Sequence, residues 1–60
     1  MIRLNQDTPA DILNEVKTGD LVTDTFSKTG LVESINIKED PLYKIFEFNL
    51  VTGRIITVRI

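Results

Sequence analysis

A chain of 60 residues is one domain, close to the lower limit at which a hydrophobic core sustains itself. It holds no cysteine and no histidine; this excludes disulfide bracing and thiol metal sites and removes the commonest metal ligand and general base. The net charge of −2 is uneven: residues 1–24 carry Asp7, Asp11, Glu15, Asp20 and Asp24 against Arg3 and Lys17, while residues 25–60 are slightly basic. An acidic front end repels phosphate backbones and could attract a basic partner surface, but the simpler reading is solubility.

In chain order, Ile2 and Leu4 suit a small edge strand or an ordered tail. A short helix is predicted over residues 8–18. Thr8 is its expected cap, Pro9 fits its first position, and Asp11 lies near the positive end of its dipole. Ile12, Leu13 and Val16 fall on one face, Lys17 in the last turn, and Gly19 is placed to end the helix in the left-handed conformation. Two or three turns cannot stand alone in water, so the helix must lean on the rest of the domain.

Residues 20–60 read as a meander of strands. Asp20 to Thr23 opens the first, and Thr25 to Gly30 is a polar turn region with Phe26 as its expected anchor. Leu31 to Ile37 is rich in β-branched residues, with Val32, Ile35 and Ile37 expected inside. The change of parity between Val32 and Ile35 predicts a bulge or bend. Lys38 to Pro41 is read as a turn, and Tyr43–Val51 and Arg54–Ile60 as the last two strands. A two-residue loop between them would set Phe46 opposite Arg59 and Phe48 opposite Thr57. A three-residue loop, Val51-Thr52-Gly53, instead sets Phe48 opposite Ile56 and Phe46 opposite Val58, gathering the large apolar side chains on one face. It also gives Gly53 the left-handed place of a bulged turn. The three-residue loop is therefore predicted.

Gly19-Asp20-Leu21-Val22, followed by Gly30-Leu31-Val32-Glu33-Ser34-Ile35 and two tightly joined strands, resembles small SH3-like barrels of the KOW type over residues 19–60. The resemblance implies a mainly β fold: a small antiparallel barrel or strongly bent sheet, with the short N-terminal helix as an addition. It also implies nucleic-acid binding, but KOW modules that bind RNA are basic and this chain is acidic. The cysteine-free, insertion-free style further resembles phage-encoded accessory proteins.

Little in the chain carries chemistry. Ser27-Lys28-Thr29-Gly30 is similar to a fragment of a phosphate loop, yet a strand rather than a helix follows it. Asp20 and Asp24 lack the dense spacing of a calcium loop and serve as turn residues. Glu33 and Glu47 are the acids predicted inside strands, and Glu47 is expected to pair with Arg59 or Thr57. No cofactor, metal site or catalytic residue is predicted. For nucleic acid the candidates are Lys28, Lys38, Lys44, Arg54 and Arg59, with Tyr43 and Phe26 as stacking platforms.

The expectation is a non-enzymatic module acting through protein–protein contact with another protein or with itself. Its surface candidates are Phe26, Tyr43, Ile45, Ile55 and Arg59, the apolar ones being a stripe that covers a partner or lies under the helix. A nucleic-acid-binding module and an oligomer that sequesters a small ligand are the alternatives. With no leader-like segment and no membrane-length apolar run, a cytoplasmic location is expected, that of the host cell if phage-encoded.

Overall fold

Phe46 and Phe48 set the centre of the molecule. Two residues apart on one strand, they project from the same face, with ring centroids 6.1 Å apart and ring planes within 8° of parallel. In the computed structural model, which describes residues 1–26 and 28–60, both are fully buried. Around them lie Ile56, Val58, Leu50, Val32, Val22 and Leu4, with Leu13 and Val16 from the helical segment. Each of the four largest contributors from the last hairpin stabilises the fold by roughly 1.5–3 kcal/mol before conformational entropy is subtracted.

The elements are β1 (Ile2–Arg3), α1 (Ala10–Glu15), β2 (Leu21–Thr23), β3 (Thr29–Glu39), β4 (Lys44–Leu50) and β5 (Ile55–Arg59). The strands form one sheet in chain order. Pairing is antiparallel from β2 to β5, but β1 runs parallel to β2, with Ile2 beside Val22 and Arg3 beside Thr23. The mainly β fold with one short N-terminal helix is therefore present, as a five-stranded mixed, bent sheet that does not close into a barrel. β3 turns the sheet. Its first residues pair with β2 and its later ones with β4, and the register shifts between Val32 and Ser34, where the parity change predicts a bulge.

The last hairpin has the predicted three-residue loop. Phe48 faces Ile56, Phe46 faces Val58 and Glu47 faces Thr57. Gly53 has φ +91°, a conformation that a Cβ would strain. Its N–H donates to the Leu50 carbonyl (3.0 Å), and the Leu50 N–H donates to the Arg54 carbonyl (2.8 Å).

Several expectations need correction. The helix spans Ala10–Glu15 rather than 8–18. Thr8 does not cap it; its hydroxyl accepts from the Asn5 N–H (2.9 Å) and donates to the Arg3 carbonyl (3.4 Å), so it tightens the turn that leads to the helix. Val16 is already extended, and the Lys17 N–H donates to the Asp20 carboxylate (2.9 Å) instead of continuing the helix. That side-chain bond offers the backbone an alternative to another helical turn. It also lets Gly19, at φ +91°, donate to the Val32 carbonyl (2.8 Å). Of the predicted apolar face, Leu13 and Val16 are buried and Ile12 is exposed. Lys38 and Glu39 belong to β3, not to a turn; the chain reverses at Asp40–Tyr43, where the Asp40 N–H donates to the Tyr43 carbonyl (2.8 Å). Ser27, the first residue of the fragment resembling a phosphate loop, lies outside the described residues. No helix among the described residues is long and apolar enough to cross a membrane.

Candidate functional site

The face of the sheet opposite the core carries most of the predicted surface residues. Tyr43, Ile45, Glu47 and Asn49 alternate with the buried members of β4, and Ile55, Thr57 and Arg59 do so on β5. The helical segment adds Leu13 and Val16 to the core that holds the phenylalanines, on the other face, so Tyr43, Ile45 and Ile55 do not lie under it. Nor do they form one stripe. The Arg59 guanidinium sits 5.5 Å from the centre of the Tyr43 ring and covers it. Ile45, half-buried, faces Arg59 and Lys38 on its two neighbouring strands. Ile55 pairs with Asn49, which donates to the Ser34 hydroxyl (3.0 Å). Between the two isoleucines, Glu47 lies opposite Thr57 as expected and makes its ion pair with Lys38 (3.6 Å) rather than with Arg59. The apolar surface is thus divided by polar pairs into small pieces.

Phe26 is not an anchor. It is 80% exposed, on a loop shaped by Asp24, whose Oδ1 accepts from the N–H groups of Phe26 (2.9 Å) and Lys28 (2.8 Å). This Asx arrangement accounts for Asp24 as the Lys17 contact accounts for Asp20. Four of the five basic candidates are likewise engaged singly; the exposed Arg54 side chain has no such contact among the described residues. Lys38 pairs with Glu47 and Lys44 with Glu39 (3.5 Å). The Lys44 Nζ also lies 5.1 Å from the centre of the Phe46 ring, Arg59 covers Tyr43, and Lys28 donates to a backbone carbonyl of β5. Lys38 and Arg59 share the outer face on either side of Ile45, with Glu47 bonded to Lys38 beside them, whereas Lys44 has the parity of Phe46 on the core face and Lys28 lies at the β5 edge.

What distinguishes one part of the surface from another is the state of the sheet edges. Lys44 and Ile60 exchange both backbone bonds. Antiparallel pairs alternate, so β5 turns the N–H and C=O of Ile55, Thr57 and Arg59 away from β4. This edge faces the loop after β2 and the turn after β1 across a cleft of about 180 Å³ lined by Leu4, Gln6, Phe26, Lys28, Ile56 and Thr57. Two side chains bridge it. The Arg59 N–H donates to Gln6 Oε1 (3.3 Å), and Lys28 Nζ donates to the Ile55 carbonyl (3.2 Å). Side chains, not a strand pair, join the two ends of the bent sheet. A larger groove of about 490 Å³ adjoins it at Arg3, Asn5, Asp24 and Thr25.

The second edge is different. Because Asp40 bonds to Tyr43 and the β3–β4 register runs from Glu39–Lys44 to Ser34–Asn49, Ser34, Asn36 and Lys38 direct their backbone groups into β4. Ile35, Ile37 and Glu39 direct theirs outward. The segment Gly19–Asp20 pairs with β3 only at Val32, and β2 ends its pairing at Leu31. Among the described residues, no hydrogen bond reaches the outward groups of Ile35, Ile37 or Glu39. Ile37 is 50% exposed beside them. Sequence reasoning missed this edge because it ended the strand at Ile37. The 11 residues of β3 outrun the 3 of β2, which leaves the far part of β3 without a neighbour on that side.

Compared with protein-family models, curated proteins and solved structures, the chain matches none.

Proposed function

We propose that this chain is a non-enzymatic binding module that acts through protein–protein contact, taking an extended strand of its partner along the outer edge of β3. The observation that carries the reading is the run of unpaired backbone groups at Ile35, Ile37 and Glu39, with Ile37 itself half-exposed, in a molecule where Gln6 and Lys28 engage two of the six outward groups of Ile55, Thr57 and Arg59 on β5. An open edge is a template for another strand, and strand addition draws affinity from main-chain bonds and specificity from alternate side chains. The bent meander of β2 to β5 also suits the small SH3-like plan suggested by the Gly19 and Gly30 motifs. The dispersal of Lys28, Lys38, Lys44 and Arg59 into separate contacts supports a protein partner over nucleic acid.

The test uses Ile37→Pro. This substitution removes an outward N–H and no bond to β4, so the fold is retained while the edge is blocked. Proteins cross-linked to the wild-type chain in a cell extract are to be compared with those cross-linked to the variant. Cross-links at residues 35–39 that vanish in Ile37→Pro support the reading; a partner held equally well by both chains overturns it.

A further inference from the structure

We infer that the strand accepted by the β3 edge is β3 of a second copy of this chain, paired antiparallel about a two-fold axis through Ile37. The inference rests on the binding role proposed above and names its partner.

The open stretch has a defined length. Gly19 and Asp20 occupy the position beside Val32, and the chain turns away at Asp40. Between these limits, Ile35, Ile37 and Glu39 present three N–H and three C=O groups, spaced symmetrically about Ile37. An axis there pairs Ile37 with its own copy and Ile35 with Glu39 in both directions, so that every outward group of the stretch is bonded on both chains. Symmetric assemblies with a two-fold axis require such a self-complementary patch.

Charge selects this register from its neighbours. Moving the axis one residue toward the N-terminus sets Glu39 opposite Glu33. Moving it one residue toward the C-terminus sets Lys38 opposite Lys38. Both shifts place like charges directly across from one another, which is destabilising. With the axis on Ile37, Asn36 faces Lys38 of the second copy, and the half-exposed Ile37 side chains meet at the centre. The charges that guard a free edge are partly offset within the chain, Lys38 by Glu47 at 3.6 Å and Glu39 by Lys44 at 3.5 Å. Like charges at the edge are a common defence against self-pairing, and here that defence is weakened.

Asn36 provides a test whose sign is opposite inside and between chains. Within the chain Asn36 lies opposite Glu47; across the axis it would lie opposite Lys38. Asn36→Lys should therefore leave the monomer at least as stable while weakening the dimer, and Asn36→Glu should tighten the dimer while slightly weakening the monomer. With two equivalent cross-strand pairs per dimer, the dissociation constant should move by about tenfold in each direction. Sedimentation equilibrium over a concentration series reads that constant, and amide hydrogen exchange by NMR reads the edge. The inference expects a concentration-dependent dimer in which the amides of Ile35, Ile37 and Glu39 become protected, with Asn36→Lys and Asn36→Glu shifting it oppositely. A chain that remains monomeric at millimolar concentration overturns it, as does a dimer whose edge amides stay unprotected or whose constant ignores both substitutions. Its failure is separable from that of the binding role: a strict monomer that still cross-links another protein at residues 35–39, in a manner abolished by Ile37→Pro, removes the second copy and keeps the module.

Discussion

Two open stretches of this sheet, β5 and the far half of β3, expose similar backbone chemistry and differ in how much of it side chains engage. On β5, Ile55, Thr57 and Arg59 point outward; Lys28 takes the carbonyl of the first and Gln6 the N–H of the last. On the far half of β3, Ile35, Ile37 and Glu39 also point outward, and no comparable contact reaches them among the described residues. The difference is one of chain path. The turn after β1 and the loop after β2 both pass the β5 edge, close enough for side chains to bridge it, whereas the segment that flanks β3 leaves it at Val32. The sheet is drawn around by its side chains at one end, and 11 residues of β3 are too many for its short neighbour to cover.

The comparison can be broken most sharply with proline on adjacent residues of β3. Asn36→Pro removes an N–H that bonds to β4 and should cost on the order of 2–3 kcal/mol, whereas Ile37→Pro should cost only about 1 kcal/mol, from the loss of a half-exposed side chain. Urea unfolding of the two variants measures the gap, and equal losses would mean that the edge assignment is inverted. A smaller effect is expected at the bridged edge. Gln6→Ala should lower stability by at most about 1 kcal/mol, and should speed exchange of the Arg59 amide without altering that of Ile37. Lys28→Met keeps the aliphatic stem but loses the bond to the Ile55 carbonyl; about 0.5 kcal/mol is expected for so exposed a contact, read as a shift in the urea midpoint. The smallest effect belongs to Phe26. Fully displayed beside the cleft, it joins neither edge, and Phe26→Ala should change stability by less than about 0.5 kcal/mol. A larger loss would show that the loop helps to hold the sheet closed.

The legibility of the chain varied with the kind of signal. The final hairpin could be read because a one-residue slip would send Phe46 and Phe48 to a face with Thr57 and Arg59, so burial and register had a single joint solution. The bend in β3 could be read because Val32 and Ile35 cannot share a face without an extra residue between them. The helix was overextended because Thr8 and Lys17, good cap and last-turn residues in isolation, have their polar groups engaged elsewhere, with Asn5 and Arg3 in one case and Asp20 in the other. Phe26 reads both as the anchor of its turn and as a surface candidate; the first fails and the second agrees with its exposure, because the carboxylate of Asp24 shapes a loop that displays the ring. Of the surface candidates, Tyr43 and Arg59 do come together, but as a cation resting on a ring. Ile45 and Ile55 are separated, because the residues between them on the same face are polar.

By itself, then, the order of residues determined the mainly β class, the bend at Val32–Ser34, the loop at Val51–Gly53 and the apolar core of the last hairpin. These follow from side-chain alternation and from turn geometry, which act between near neighbours and leave a periodic trace. Tertiary structure alone decided that β1 lies parallel to β2, that Gln6 and Lys28 reach β5, and that the far half of β3 has no neighbour. Those outcomes depend on how far each segment extends in space before the chain turns, and the free energy of a long-range contact leaves no period in the sequence that forms it.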